Sequence, residues 1–161
     1  MNRRPAVLFI LLMLTAIPVL SGDKPWHVYF TTPERKDSIR SGGNPEHALV
    51  AAIDACKSSI DGAFYDITSP RVVDAFLRAK KRGLNVRLVT DDSNYGRKSI
   101  GSLMRAGIPV VADTGRGLMH NKFAVLDGRA LWTGSYNTTE NCAEKNNNNA
   151  LYFDSREMAD I

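Results

Sequence analysis

Residues 118–137, LMHNKFAVLDGRALWTGSYN, gather the side chains of this sequence best suited to chemistry. His120 and Lys122 are two apart in a stretch that alternates like a strand. Their side chains therefore share one face, roughly 6–7 Å apart along it. Past the next strand, Ser135 and Asn137 are also two apart, and Gly134 beside them lets a backbone or ligand come close. These groups suit a phosphoryl centre. Lysine can hold the non-bridging oxygens, serine and asparagine can donate to them, and histidine can attack or protonate. Asp127 stands in Asp-Gly, the favoured pair for a two-residue hairpin turn, so it reads either as a site residue or as a turn residue. An isolated H-x-K would read as a satisfied polar histidine and an exposed strand lysine. The joint spacing is far more specific: H-x-K, four residues, Asp127, six residues, then G-S-x-N.

Alternating strands and helices must position these groups. HVYFT (27–31) reads as a strand, and SGGN breaks the chain after it. Asn44 caps a helix with Pro45 at its first position, running to about Lys57. SIDGAFYDI is a second strand, and Ser69-Pro70 opens a helix that stops at Gly83. LNVRLVTDD reads as a buried strand, GRKSIGSLMRAG as a helix and IPVVAD as a short strand. KFAVL and ALWTG then flank the Asp-Gly turn. NALYFD reads as a last strand, and SREMADI opens a capped helix that the chain barely enters, as in a fragment or one half of a longer protein. This alternation predicts an α/β fold: a mixed, largely parallel sheet flanked by helices on both faces.

The chain of 161 residues is long enough for one domain with a real core. Residues 1–22 stand apart, with Arg3 and Arg4 before an apolar run and small residues at Ser21 and Gly22. That is the layout of a secretory signal peptide, or alternatively of an uncleaved N-terminal anchor. The catalytic domain is then expected over 23–161, exported to a periplasm or secreted, or held at a membrane by the N-terminal segment. Loss of residues 1–22 would lower the formal charge from +4 by the two arginines. A mildly basic domain permits nucleic acid or anionic lipid as partner and demands neither. Cys56 falls on the apolar face of a predicted helix and reads as a packing residue; two cysteines do not make a disulfide framework.

His120, Lys122, Asp127, Gly134, Ser135 and Asn137 match the H-x-K-x4-D-x6-G-S-x-N signature, and in this the chain resembles the phospholipase D superfamily. SIDGAFYDITSPRVVDAFLRAKKRGLNVRLVTDD is similar to that superfamily's first strand–helix–strand unit, and the likeness covers about residues 27–155. Its flavour is that of the small single-motif phosphodiesterases. The resemblance implies catalysis by His120, Lys122 and Asp127, with Lys122, Ser135 and Asn137 on the substrate phosphate and with no metal or cofactor. One histidine attacks phosphorus to give a phosphohistidine and a second protonates the leaving oxygen. A chain with one motif then works as a homodimer, with the site on the two-fold axis. Relatives of the nuclease type carry a Glu-Asn pair before the last strand, whose Glu orients the histidine. Here the tract is KNNNNAL, which leaves Asn148 or the nearby Glu144 for that task.

Three functions follow. The first is a non-specific endonuclease on DNA or RNA; the second is a phospholipase D that hydrolyses membrane phospholipids to phosphatidic acid. The third is a non-enzymatic module that binds nucleic acid or lipid. Arg71, Lys80, Lys81, Arg82, Arg97, Lys98 and Arg116 offer backbone contacts to nucleic acid. Asp91 and Asp92, at the end of a central strand, read as a solvated strand end or as ligands for Mg²⁺. His27 and His47 are too far from the motif in sequence to join it.

Overall fold

The computed structural model describes residues 25–33 and 43–160, so the expected signal peptide or anchor, residues 1–22, lies outside the described residues. The strands are β1 (Trp26–Phe30), β2 (Ser59–Phe64), β3 (Asn85–Thr90), β4 (Val110–Ala112), β5 (Lys122–Leu126), β6 (Ala130–Gly134) and β7 (Asn149–Phe153). The helices are α1 (Pro45–Ala55), α2 (Pro70–Lys81), α3 (Lys98–Arg105), α4 (Glu140–Glu144) and α5 (Arg156–Ala159). All the strands join one seven-stranded sheet in the order β1-β7-β6-β5-β2-β3-β4.

The fold is α/β with a mixed sheet, as the alternation predicts. Its parallel part is smaller than expected: among the described strands only β2–β3 and β3–β4 pair in parallel. The pairings β1–β7, β7–β6, β6–β5 and β5–β2 are antiparallel. Parallel neighbours need a crossover, which α2 and α3 supply, whereas the chain from β5 onward turns back on itself.

Local chemistry explains the helix ends. Asn44 accepts from Glu46 N–H to start α1, and Ser69 accepts from Val72 N–H to start α2; each is followed by proline. α2 stops where Gly83 takes a positive φ of 88°. The main core lies between one sheet face and the helices, with Ile60, Phe64, Val86 and Leu88 packed among Leu49, Ile53, Val72 and Phe76. The opposite face carries a row that crosses every strand: Val28, Leu151, Thr133, Phe123, Ala63, Val89 and Val111. There α5 packs against β6, and Leu131 and Ala159 are both buried outside the main core. Helices thus touch both faces, in very unequal number.

Candidate active site

Strand direction brings the C-terminal ends of β2, β3 and β6 to the same sheet end as the starts of β5 and β7. His120 lies just before β5 and Lys122 begins it, paired in register with Phe64 of β2. The next residue, Tyr65, donates its N–H to the Asn121 carbonyl (2.9 Å) and so ties the histidine segment to β2. Its ring meets the exposed imidazole of His120 edge-on, with centroids 4.9 Å apart. The same ring lies 5.5 Å from Lys122 Nζ. Lys122 is only 7% exposed, and its ammonium donates to the His120 carbonyl at 2.6 Å. Burial pushes its pKa down from the ordinary lysine value. Tyr65 is thus a shared wall for both motif side chains. Sequence reasoning missed it, and its position directly after a central parallel strand was the available signal.

Asp91 is a second departure from expectation, because it is 1% exposed rather than solvated. One carboxylate oxygen accepts from the N–H and hydroxyl of Ser93, and the other from Met119 N–H at 2.9 Å. The Ser93 hydroxyl chiefly holds this carboxyl below its usual range; burial opposes, and Met119 N–H and the charge of His120 add to the lowering. Both oxygens are committed to donors, and Asp91 acts as an anchor for the residue preceding His120. Asp92 beside it is exposed and opens a single 3-10 turn, Asp92–Asn94.

Ser135 and Asn137 reach the same sheet end. Ser135 Oγ accepts from Asn149 N–H at 3.0 Å and donates to Asn148 Oδ1 at 3.3 Å. The close approach expected at Gly134 is that of the β7 backbone: a Cβ there would lie 2.5 Å from the Asn149 carbonyl oxygen. Asn137 Nδ2 faces Cys142 Sγ at 3.6 Å, and its Oδ1 is buried without a partner. Asn148 is committed to Ser135 and, through Nδ2, to the Cys142 carbonyl at 3.0 Å, so it braces the serine rather than the imidazole. Glu144 ends α4 exposed, its carboxylate in no hydrogen bond or ion pair among the described residues. Neither residue offered for orienting His120 hydrogen-bonds it.

Asp127 is not brought to this end. It occupies the β5–β6 turn with φ 54°, a strand's length (roughly 15–20 Å) from His120. Its carboxylate accepts from Lys57, Ser58 and Ser59 N–H and from the Ser58 hydroxyl, at 2.8–3.1 Å. The turn reading is therefore the one its contacts support: the residue splices the hairpin to the α1–β2 connection. Burial alone would raise this carboxyl, but the N–H groups of Ser58, Ser59 and Lys57 outweigh it and hold the pKa below the usual range. Asp127→Ala is expected to cost about 1–3 kcal/mol of stability. Its effect should appear in the melting temperature and not in the rate per folded molecule. A depressed carboxyl stabilises above the unfolded-state value near 3.8. The gap between parent and variant should therefore close as acid protonates the folded carboxylate. Melting curves from neutral to strongly acid pH check this.

The remaining candidates scatter. His27 and His47 line a separate cavity of about 800 Å³ with Asp127, Arg129 and Tyr152, away from His120. The basic end of α2 (Lys80, Lys81, Arg82) is carried to the far end of the sheet, because a crossover helix runs back against its strands. Arg82 pairs there with Asp54, and Arg71 pairs with Glu46 at the start of α2. Arg97 alone of the basic set lines the cleft beside Tyr65, where it pairs with Asp66 at 3.1 Å. Lys98 and Arg116 are exposed. Cys56 packs in the core as expected, its thiol pushed up to about 11 chiefly by burial, and both cysteines are free.

An exposed imidazole, a largely desolvated ammonium and hydrogen-bonding groups from Ser135 and Asn137 thus share one sheet end. Such a set can hold a phosphoryl group and attack it. Residues 49–161 match the family model described as cardiolipin synthase, PLD-like domain. Mitochondrial cardiolipin hydrolase of Homo sapiens is 38% identical over 105 residues, covering 64% of this chain and 42% of that protein. Phospholipase D of Rickettsia felis is 33% identical over 110 residues, covering 67% and 55%. The chain spans about half the length of the curated relatives it matches. Among solved structures, Nuc from Salmonella typhimurium, a phospholipase D family member, superposes with a TM-score of 0.71 at 27% identity, covering 84% of this chain and 86% of that one. NucT from Helicobacter pylori shares the fold with a TM-score of 0.66 at 22% identity, covering 83% and 89%. Family match, architecture and motif agree: the chain belongs to the phospholipase D superfamily.

Proposed function

We propose that this chain is a phosphodiester hydrolase acting on nucleic acid, DNA or RNA, through a phosphohistidine. The observation that carries this reading is the meeting of His120 and Lys122 on the Tyr65 ring beside a cleft of polar lining. Lys122 draws the non-bridging oxygens in, Asn137 adds a donor, and Ser135 adds another once its hydroxyl proton turns from Asn148 Oδ1 to the phosphate. An imidazole nitrogen of His120 forms a bond to phosphorus as the bond to the leaving oxygen breaks. That oxygen takes its proton from a second imidazolium, which then accepts a proton from water as the water displaces His120 from phosphorus.

The second imidazole comes from another copy of the chain. The sequence has three histidines, and His27 and His47 line the separate cavity described above. A two-fold interface sets identical patches face to face, so two copies of His120 can flank one phosphate. The same proposal includes export, or attachment by residues 1–22.

The phospholipid alternative draws on two observations. Relatives include proteins named for cardiolipin and phospholipase D activity, and Leu118, two residues before His120, is 69% exposed. One assay separates the readings: labelled single-stranded DNA with cardiolipin or phosphatidylcholine vesicles as rivals, EDTA present throughout. The expected outcome is DNA cleavage that survives EDTA, weakens steeply with salt and sediments with a dimer. Headgroup release much faster than DNA cleavage would transfer the chain to lipid, and a fully active monomer would refute the shared site.

A further inference from the structure

The cleft beside Tyr65 has a volume of about 500 Å³, and among the described residues Arg97 is the basic side chain in its wall. That guanidinium is fixed. Nε and Nη2 donate to Asn94 Oδ1 at 3.2 and 3.0 Å, and Nη2 also donates to Asp66 Oδ2 at 3.1 Å. Asn94 is 5% exposed, and its own amide nitrogen donates to the Tyr65 carbonyl at 2.9 Å. Thr90 Oγ1 donates to the same carbonyl at 3.1 Å. One buried asparagine thus registers the guanidinium against the residue whose ring meets His120.

These bonds use Nε–H and the N–H groups of Nη2. They leave Nη1, whose N–H groups have no partner among the described residues. The ion pair presents its cation and hides its anion: the Arg97 side chain is 50% exposed and that of Asp66 13%. Glu140, the other carboxylate of the wall, is exposed and so screened by solvent and salt. A guanidinium with uncommitted donors suits the oxygens of a phosphate. Binding there costs little ordering, because the side chain is already held. The scissile phosphate has its own cation, since Lys122 meets the Tyr65 ring together with His120. Arg97 is tied instead, through Asn94, to the Tyr65 backbone. The two cations are thus held to different parts of one tyrosine, and a polynucleotide supplies a phosphate for each.

We propose that Arg97 binds the backbone phosphate next to the scissile one, so that this cleft is a flanking-phosphate subsite. The inference rests on the nucleic-acid reading above and deepens it: a diester within a charged strand is a better substrate than the same diester between neutral neighbours. A phosphate contact of this kind fixes the register of the strand and reads no base.

The test compares a thymidine tetranucleotide with an analogue whose outer linkages are neutral methylphosphonates, reading cleavage of the central linkage in both. The parent protein should cleave the neutral-flanked strand at least about ten-fold less efficiently in kcat/KM, the effect of losing one charge-assisted contact. Arg97→Ala should bring the two strands to within about two-fold of each other, through a loss on the charged strand. Arg97→Lys keeps the charge without the planar fork and should fall between. Bis(4-nitrophenyl) phosphate has no flanking phosphate, so its hydrolysis per folded molecule should stay within about two-fold of the parent in both variants. Binding of oligo(dT) to Arg97→Ala should show a salt slope shallower by about 0.7, one contact on a single strand. A parent that cleaves both strands alike overturns the subsite and leaves the nuclease reading standing, with no variant needed to decide. A preference undiminished in Arg97→Ala, or in Arg97→Lys where the alanine variant does not fold, does the same. Hydrolysis of bis(4-nitrophenyl) phosphate and of phosphatidylglycerol vesicles, with neither strand cleaved, overturns both readings.

Discussion

Replacing His120 by alanine should lower phosphodiester hydrolysis by at least about 10³-fold, the scale of losing a nucleophile or its proton-transfer role. The folded state should hardly notice. The imidazole is exposed and meets the Tyr65 ring edge-on, with centroids 4.9 Å apart. The segment that carries it is held by other groups: Asp91 grips Met119 N–H, and the Asn121 carbonyl accepts from Tyr65. Melting temperature should therefore stay near that of the parent while turnover disappears. A phosphoryl group on imidazole is lost in acid and survives in base, so rapid quenching into base is the direct probe. Labelled substrate should leave its phosphoryl group, still esterified on one side, on the parent protein and none on the variant. Near-normal turnover by His120→Ala would remove the nucleophile from this site altogether.

Lys122→Met should cost at least about 10²-fold in kcat/KM, comparable to losing one preorganised oxyanion contact. Here rate and stability should part company. Lys122 is 7% exposed, and burial lowers its pKa from the ordinary value of 10.5. The folded state therefore binds this proton less firmly than the unfolded chain. Stability rises as pH climbs from the folded-state value toward 10.5, and below that window the buried charge is a cost. An apolar residue of similar length removes the cost, so Lys122→Met should melt no lower than the parent at neutral pH. Activity of the parent should fall on the alkaline side before an ordinary lysine would titrate, as the phosphate loses its ammonium. A variant that melts much lower and retains its rate per folded molecule would make Lys122 a structural residue.

Much of the framework is local and so was legible in the residues themselves. Asn44-Pro45 and Ser69-Pro70 start helices because a side-chain acceptor followed by proline suits a first turn whatever lies around it. Asp127-Gly128 turns the chain because both positions tolerate positive φ, 54° and 59°. The two-residue periodicity of a strand predicted a common side for His120 and Lys122; His120 lies just before β5, and both side chains meet Tyr65. What spacing cannot encode is which strand lies beside which. β5 inserts between β6 and β2, and that non-local choice alone brings Tyr65 against the motif and Asp91 beneath Met119. It also separates groups that the signature lists together. Asp127 is five residues beyond Lys122, yet one strand's length carries it to the opposite end of the sheet, to cap the backbone of Lys57, Ser58 and Ser59. The basic run at the end of α2 is removed in the same way, because a crossover helix must travel back along the strands it joins. The sequence by itself determined the motif residues, their spacing and the strands that run beside them. Only the packed sheet decided which carboxylates stand at the reacting end and which splice turns, because sheet ends are assembled from residues far apart in the chain.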